Sequence, residues 1–237
     1  WFSSGQMMPT AMGREGQGSM APRPQAPALS GDYVAIAPWN PDLHGPSLWA
    51  SFGQMKTNEL LYHFGWSAME KWEDLAAIID GFNQSGAFIT CIFTDKDSGD
   101  AIGMASYMSI VPEHGRIEVG AVAHGKGLRS SPAATEAHYL LARHVFDDLG
   151  YRRYEWKLNN PNEASHKAAR RLGFTFEGVF RQHQVMTYGN RDTAWYSMLD
   201  SEWPRAKKAF QAWLMPDNFD AGGRQKLRLA QLREMMA

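Results

Sequence analysis

Between residues 87 and 149 the spacing of apolar residues changes once, and that change limits what the chain can fold into. Residues 87–94, 102–110 and 116–123 read as strands, with Asp97-Ser98-Gly99-Asp100 and Pro112-Glu113-His114-Gly115 as the turns between them. Short strands joined by such turns predict an antiparallel meander. From about 132 to 148 the period becomes helical. Ala137, Leu140, Leu141, Val145 and Leu149 share one stripe, and Gly150 is the expected stop. A meander followed at once by an amphipathic helix implies a sheet with a helix laid on its face.

The flanking segments extend this pattern. Tyr33-Val34-Ala35-Ile36 reads as a short strand ended by Pro38. Residues 43–83 read as mostly helical, interrupted by the aromatic link Tyr62-His63-Phe64-Gly65-Trp66. Further on, 154–158 reads as a strand and 162–172 as a helix stopped by Gly173. Strands at about 174–187 and 193–200 are joined at Gly189-Asn190. The expected fold class is α/β (α+β), a central sheet of about seven strands flanked by helices. After Pro204 the chain carries seven Lys/Arg against three Asp/Glu, and Leu229, Leu232 and Met236 recur at helical spacing. Residues 205–237 are therefore expected to be a helical extension lying on the body or on a second copy.

Composition excludes several classes. At 237 residues and 44% hydrophobic content, the chain suits one core domain with extensions. Its 24 basic and 25 acidic residues give no global electrostatic footprint for nucleic acid, so a nucleic-acid or ribosomal partner is not expected. Cys91 is the single cysteine and lies mid-strand in "FITCIF", which excludes an intramolecular disulfide and gives no sign of an activated thiol. The eight histidines show no zinc-ligand spacing, so no metal is expected. No apolar run approaches the roughly 18 residues of a membrane span. Residues 1–31, rich in Gly, Pro, Ser and Gln, read as an arm without an apolar signal core. Part of it is expected to be foreign to the native chain, whose start would fall at Met7, Met8, Met12 or Met20. A cytoplasmic location is expected.

The junction at 129–137, "RSSPAATEA", holds the clearest chemical signal. Ser131 suits an N-cap and Pro132 the first helical position, where its missing N–H costs nothing. Free amides of the first turn stand at the positive end of the helix dipole, with Ser130, Ala133 and Ala134 small enough to admit a ligand and Arg129 just ahead. A phosphate cradle and an ordinary capped helix start are both compatible with these residues. Glu136, in the first turn, argues against a phosphate unless it points away.

The order of elements, and the "R-x-x-P-x-A" run of Arg129–Ala134, resemble the GNAT superfamily of N-acetyltransferases, whose loop pattern is Gln/Arg-x-x-Gly-x-Gly/Ala. The closer likeness is to RimJ/RimL-type members. It covers roughly 32–204, the expected catalytic domain, and rests also on "NEASHKAARRLGF" (162–174), "FEGVFRQH" (176–183) and "NRDTAWYSMLDSEW" (190–203). The resemblance implies a mixed, mostly antiparallel sheet and an acetyl-CoA pyrophosphate held against Arg129, Ser130, Ser131, Ala133, Ala134 and Thr135. Pro132 stands where the family pattern usually has Gly, removing one amide donor.

Acetyl transfer to an amine needs a base, an oxyanion donor and a proton for the departing thiolate. In "RIEVGAVA", alternation puts Glu118, Gly120 and Val122 on one face, and the carboxylate beside a glycine is expected to border an open slot. The resemblance implies Glu118 as base; a cross-strand ion pair is the plain alternative. His124 and His183 are lesser candidates, and Gln184 stands where some RimL-like members carry a carboxylate. The resemblance also implies an amide near Val122 as oxyanion donor, at a bulge that Gly120 would tolerate. A family tyrosine acid is replaced by Ala169. Ser165 would instead meet the CoA sulfur, Asn162 would cap the helix and touch the pantetheine arm, and Arg171 would meet nucleotide phosphate. Tyr62, Phe64, Trp66 and Tyr188 are candidates to line the acceptor groove, though aromatic core is the plainer reading.

The sequence thus points to acetyl transfer from acetyl-CoA to a protein N-terminal or small-molecule amine, by direct transfer in a ternary complex. Two rivals stay open: a larger donor such as succinyl-CoA, marked by a basic residue near the thioester, and a non-catalytic acyl-CoA-binding scaffold. Pairing of two copies is also open.

Overall fold

The computed structural model describes residues 20–129 and 131–236. Its strands are β1 (Leu29–Ser30), β2 (Ala35–Pro38), β3 (Phe88–Thr94), β4 (Ala101–Val111), β5 (Arg116–His124), β6 (Arg153–Asn159), β7 (Thr175–Met186) and β8 (Gly189–Leu199). They form one sheet in the order β1-β2-β3-β4-β5-β6-β8-β7. Only β5 and β6 run parallel; every other neighbouring pair is antiparallel. The sheet thus has one more strand than the seven expected. The addition, β1, belongs to the segment read as an arm, where Tyr151 Oη also donates to Pro22 O and Arg23 to Gly86 O.

The early helical segment resolves into α1 (Pro41–Phe52), a single turn α2 (Thr57–Leu60) and α3 (Trp72–Gln84). Asn40 Oδ1 accepts from Leu43 N to open α1, and Gly53, at φ 95°, closes it in a conformation that favours glycine. α1 and α3 cover one face of the sheet through Leu48, Phe52, Leu75 and Ile79, against Ile92 and Met104.

The opposite face carries α4 (Pro132–Arg143), α5 (Glu163–Leu172), α6 (Trp203–Leu214) and α7 (Leu229–Met235). α4 continues as a wider π-turn over His144–Asp148. Ile117, Val119, Tyr154 and Trp156 meet Leu140, Leu141, Phe210 and Trp213 in this second core. Leu229 and Leu232 are buried there as well, so the C-terminal extension lies on the body.

β5 departs from its expected alternation. Its pairing with β4 steps from Ser106↔Gly120 to Met104↔Ala123, one extra residue on β5, with Ala121 at φ 48°. This is a β-bulge, which shifts the side-chain phase. Val122 consequently lies against the Ile117/Val119 core, and does not share the face of Glu118 as strict alternation predicts. On its other side β5 pairs with β6 over only three positions, Arg116 to Glu118. Beyond Glu118 the two strands diverge.

Candidate active site

The gap between the diverging strands opens a cavity of about 650 Å³, walled by Val119–His124 of β5 and Trp156–Asn159 of β6. It is floored by Asn162, Ala164, Ser165 and Ala168 of α5, and roofed by His63, Phe64 and Trp66 from the aromatic link. From Val119 onward the β5 edge facing β6 has no strand beside it, so its backbone polar groups face this space. Glu118, Val122, Arg129, Asn162 and Ser165, separate in sequence, all border the same cavity.

Glu118 is 4% exposed, and its Oε2 accepts from Ser109 Oγ and Lys157 Nζ, both at 2.8 Å. The hydroxyl reaches it because Ser109 sits at φ 48° in a second irregularity of β4. Such backbone conformations in non-glycine residues cluster at functional sites. Lys157 Nζ also lies 2.9 Å from Glu155 Oε2 and 4.2 Å above the Trp195 ring. Burial pushes the Glu155 carboxyl up, but Arg153 and Lys157 outweigh it and hold it below the usual range. The slot expected over Gly120 is occupied. Met108 crosses it so closely that a β-carbon at Gly120 would overlap its sulfur.

Across the cavity, Asn162 caps α5 by accepting from Ser165 N at 3.1 Å, as the sequence predicts. Trp156 Nε1 donates to Ser165 Oγ at 2.9 Å. With that acceptor site filled by an indole N–H, the serine proton is free to be donated into the cavity. Ala169, at the position of the missing tyrosine, is fully buried.

At α4 the predicted cap is present: Ser131 Oγ accepts from Ala134 N at 3.3 Å and donates to Leu128 O at 2.7 Å. Leu128 is buried and pins the loop, while Arg129 is exposed, its Nε on His124 O. Glu136 does turn away. Its carboxylate accepts from the backbone N–H groups of Asp32, Tyr33 and Val34 at 2.6–2.9 Å. Thr135 is buried and accepts from Arg171, whose guanidinium lies 5.0 Å over Trp213. Ser131, Ala133, Ala134, Thr135 and Arg171 stand at this helix end and do not border the cavity; Ser130 lies outside the described residues.

Of the lesser base candidates, His124 borders the cavity with Nε2 3.1 Å from His138 Nε2. Burial, helped by Arg129, pushes His124 down to about 4, so it is neutral near pH 7. His183 is exposed on β7, held by Thr193, away from the cavity. Burial also pushes the Cys91 thiol up, which leaves it inert. Among the described residues, no three His, Cys, Asp or Glu side chains gather to hold a metal ion, and no helix is long and apolar enough to cross a membrane.

Residues 34–175 match the family model described as an acetyltransferase (GNAT) domain. The chain belongs to the GNAT acetyltransferase family. A crystal structure of a GCN5-related N-acetyltransferase from Brucella melitensis is 41% identical, covering 91% of this chain and 97% of that one, with a TM-score of 0.86. A probable GNAT-family acetyltransferase from Chromobacterium violaceum is 36% identical over 85% of this chain and all of that one, at a TM-score of 0.74. An uncharacterized N-acetyltransferase of Bacillus subtilis, YoaA, is 26% identical over 153 residues, 63% of this chain and 86% of that protein. As a GNAT enzyme, the protein has the fold of a family that transfers an acyl group from acyl-CoA to an amine.

Trp156, Lys157 and Ser109 were absent from the residues singled out in sequence. In "RYEWKLN", Glu155 and Lys157 alternate with apolar Tyr154, Trp156 and Leu158, the pattern of a strand with one solvated face. What brings Lys157 to Glu118 is the sheet order, which sets β6 beside β5.

Proposed function

We propose that this GNAT enzyme is of RimJ/RimL type and moves an acetyl group from acetyl-CoA to a primary amine in a ternary complex. The observation that carries the reading is that Glu118 and Ser165, from β5 and α5, border one cavity that is also lined by the unpaired edge of β5. The subtype rests on the runs at 162–174, 176–183 and 190–203.

In this reading the β5 edge and Asn162 hold the pantetheine arm. The small residues at the start of α4, with Arg129 and Arg171, hold the phosphates. Glu118, through the Oε1 left free by Ser109 and Lys157, takes the proton of the acceptor ammonium. An amide at the bulge, near Val122, donates to the developing oxyanion as nitrogen bonds to the thioester carbon. Ser165 gives a hydrogen bond to the sulfur as the carbon–sulfur bond breaks, and the departing thiolate takes up the second proton lost by the attacking nitrogen. Phe64 and Trp66, with Tyr62 and Tyr188 around an adjoining cavity of about 410 Å³, provide the acceptor side.

The test is thiol release from acetyl-CoA across a panel of peptide N-termini and small primary amines. Intersecting double-reciprocal lines and an acetylated amine by mass spectrometry are expected. Parallel lines, or thiol release without acetylated amine, would overturn direct transfer.

A further inference from the structure

One wall of the cavity carries a cation that the acetyl-transfer reading leaves without a task. Arg191, half-buried on β8, reaches the cavity beside His63 and Asn159. Its Nε donates to Thr193 Oγ1 at 3.2 Å, and that hydroxyl also meets His183 Nδ1 at 3.0 Å, so the guanidinium plane is braced from behind. Its terminal nitrogens have no acidic partner among the described residues. Asp192, next in the chain, turns its carboxylate to Gln182 N and Asn190 Nδ2. Asn159 is 6% exposed; its Nδ2 faces His63 Nδ1 at 3.3 Å, and its Oδ1 is buried without a hydrogen-bond partner.

The other charges around the cavity do not compensate Arg191. Glu118 is paired with Lys157, Glu59 stands exposed at the rim, and Arg129 lies toward α4. Burial and the nearby Arg191 both push His63 down, so it adds hydrogen bonding without a second charge. A partly desolvated, braced guanidinium with two free terminal nitrogens suits a planar monoanion better than a phosphate, which favours several cations.

We infer that Arg191, with neutral His63 and an N–H of Asn159 Nδ2, forms a subsite for a substrate carboxylate at the acceptor end of the cavity; Asn159 Oδ1, an acceptor, takes no part in it. The carboxylate can come from the amine acceptor or from the far end of a dicarboxylic acyl chain such as succinyl. The inference rests on the acyl-transfer reading and narrows its substrate class.

The experiment compares matched pairs on the full chain. On the acceptor side, glycine, β-alanine and γ-aminobutyrate are set against their amides with acetyl-CoA. On the donor side, succinyl-CoA is set against butyryl-CoA with a neutral amine. The expected result is a kcat/KM about tenfold or more higher for the carboxylate member of at least one pair. That ratio should fall to near one in Arg191→Gln and be partly kept in Arg191→Lys. A preference on the acceptor side assigns the carboxylate to the amine, and one on the donor side assigns it to the acyl chain. Ratios within twofold for every pair, or a preference that survives Arg191→Gln, would overturn the subsite while leaving acyl transfer intact. If no amine releases thiol, acyl transfer itself fails, and the subsite is read by thermal unfolding. It stands if succinyl-CoA stabilises the wild type more than butyryl-CoA does and Arg191→Gln removes the difference, and it falls otherwise.

Discussion

Lys157 Nζ sits 2.8 Å from Glu118 Oε2, and both side chains are nearly buried at the point where β5 and β6 begin to part. The pair does two jobs: it fixes the carboxylate toward the cavity and compensates a charge that burial would otherwise make costly. Glu118→Gln keeps the shape and should lower kcat by about a hundredfold or more. Acetyl-CoA affinity should change little, which calorimetry would check. Lys157→Met leaves a buried carboxylate without its cation and should destabilise the fold by about 3–5 kcal/mol in urea unfolding.

Ser165 offers its proton to the cavity because Trp156 Nε1 fills one of its acceptor positions. Ser165→Ala should lower kcat about tenfold and, by orphaning a buried indole N–H, cost about 1–3 kcal/mol of stability. Trp156→Phe removes the indole donor but leaves the serine proton. It should therefore cost stability with a smaller fall in kcat, and an equal fall would contradict the assignment.

Glu136 holds the chain entering β2 by three backbone hydrogen bonds, and Gly31 is required there because a β-carbon would overlap the carboxylate. Glu136→Ala should lower stability by roughly 2–5 kcal/mol, seen as a lower urea midpoint with unchanged slope. Gly31→Ala should act in the same direction.

Acid should weaken the fold through the His124–His138 pair. Both imidazoles are pushed down in the folded chain, His124 to about 4, mainly by burial. The unfolded chain takes up those protons near pH 6.5, so the folded state keeps its full stability above that value and loses it as pH falls toward 4. His124 alone accounts for about 3 kcal/mol across this window. Thermal midpoints between pH 7 and 4 should fall less steeply in His138→Leu than in the wild type.

Much of the frame was legible because local chemistry dictates it. Ser131 and Pro132 open α4, Asn162 opens α5, and Gly173 at φ 102° closes it, each as the residue type requires. The meander and its turns at Gly99 and Gly115 follow from period and turn residues. The bulge at Ala121 is implied by the family resemblance and not by local chemistry, since neither alanine nor its neighbours need a positive φ. It is imposed by the fit of β5 against β4, and it moved Val122 to the other face. The burial of Glu155 and Lys157 is not legible because alternation alone does not reveal that β6 is an interior strand. Arg191 and His63 are 128 positions apart in the numbering (191 less 63) and meet only through the fold.

The most direct measurement is thermal unfolding of the full chain with acetyl-CoA, with adenosine as control. A ligand seated in the cleft at 100 times its dissociation constant should add about 2.7 kcal/mol and raise the midpoint by a few degrees. That rise is expected with acetyl-CoA and none with adenosine. No rise at millimolar acetyl-CoA would contradict it, and would mean that the gap between β5 and β6, behind a loop carrying Pro132, does not hold the thioester.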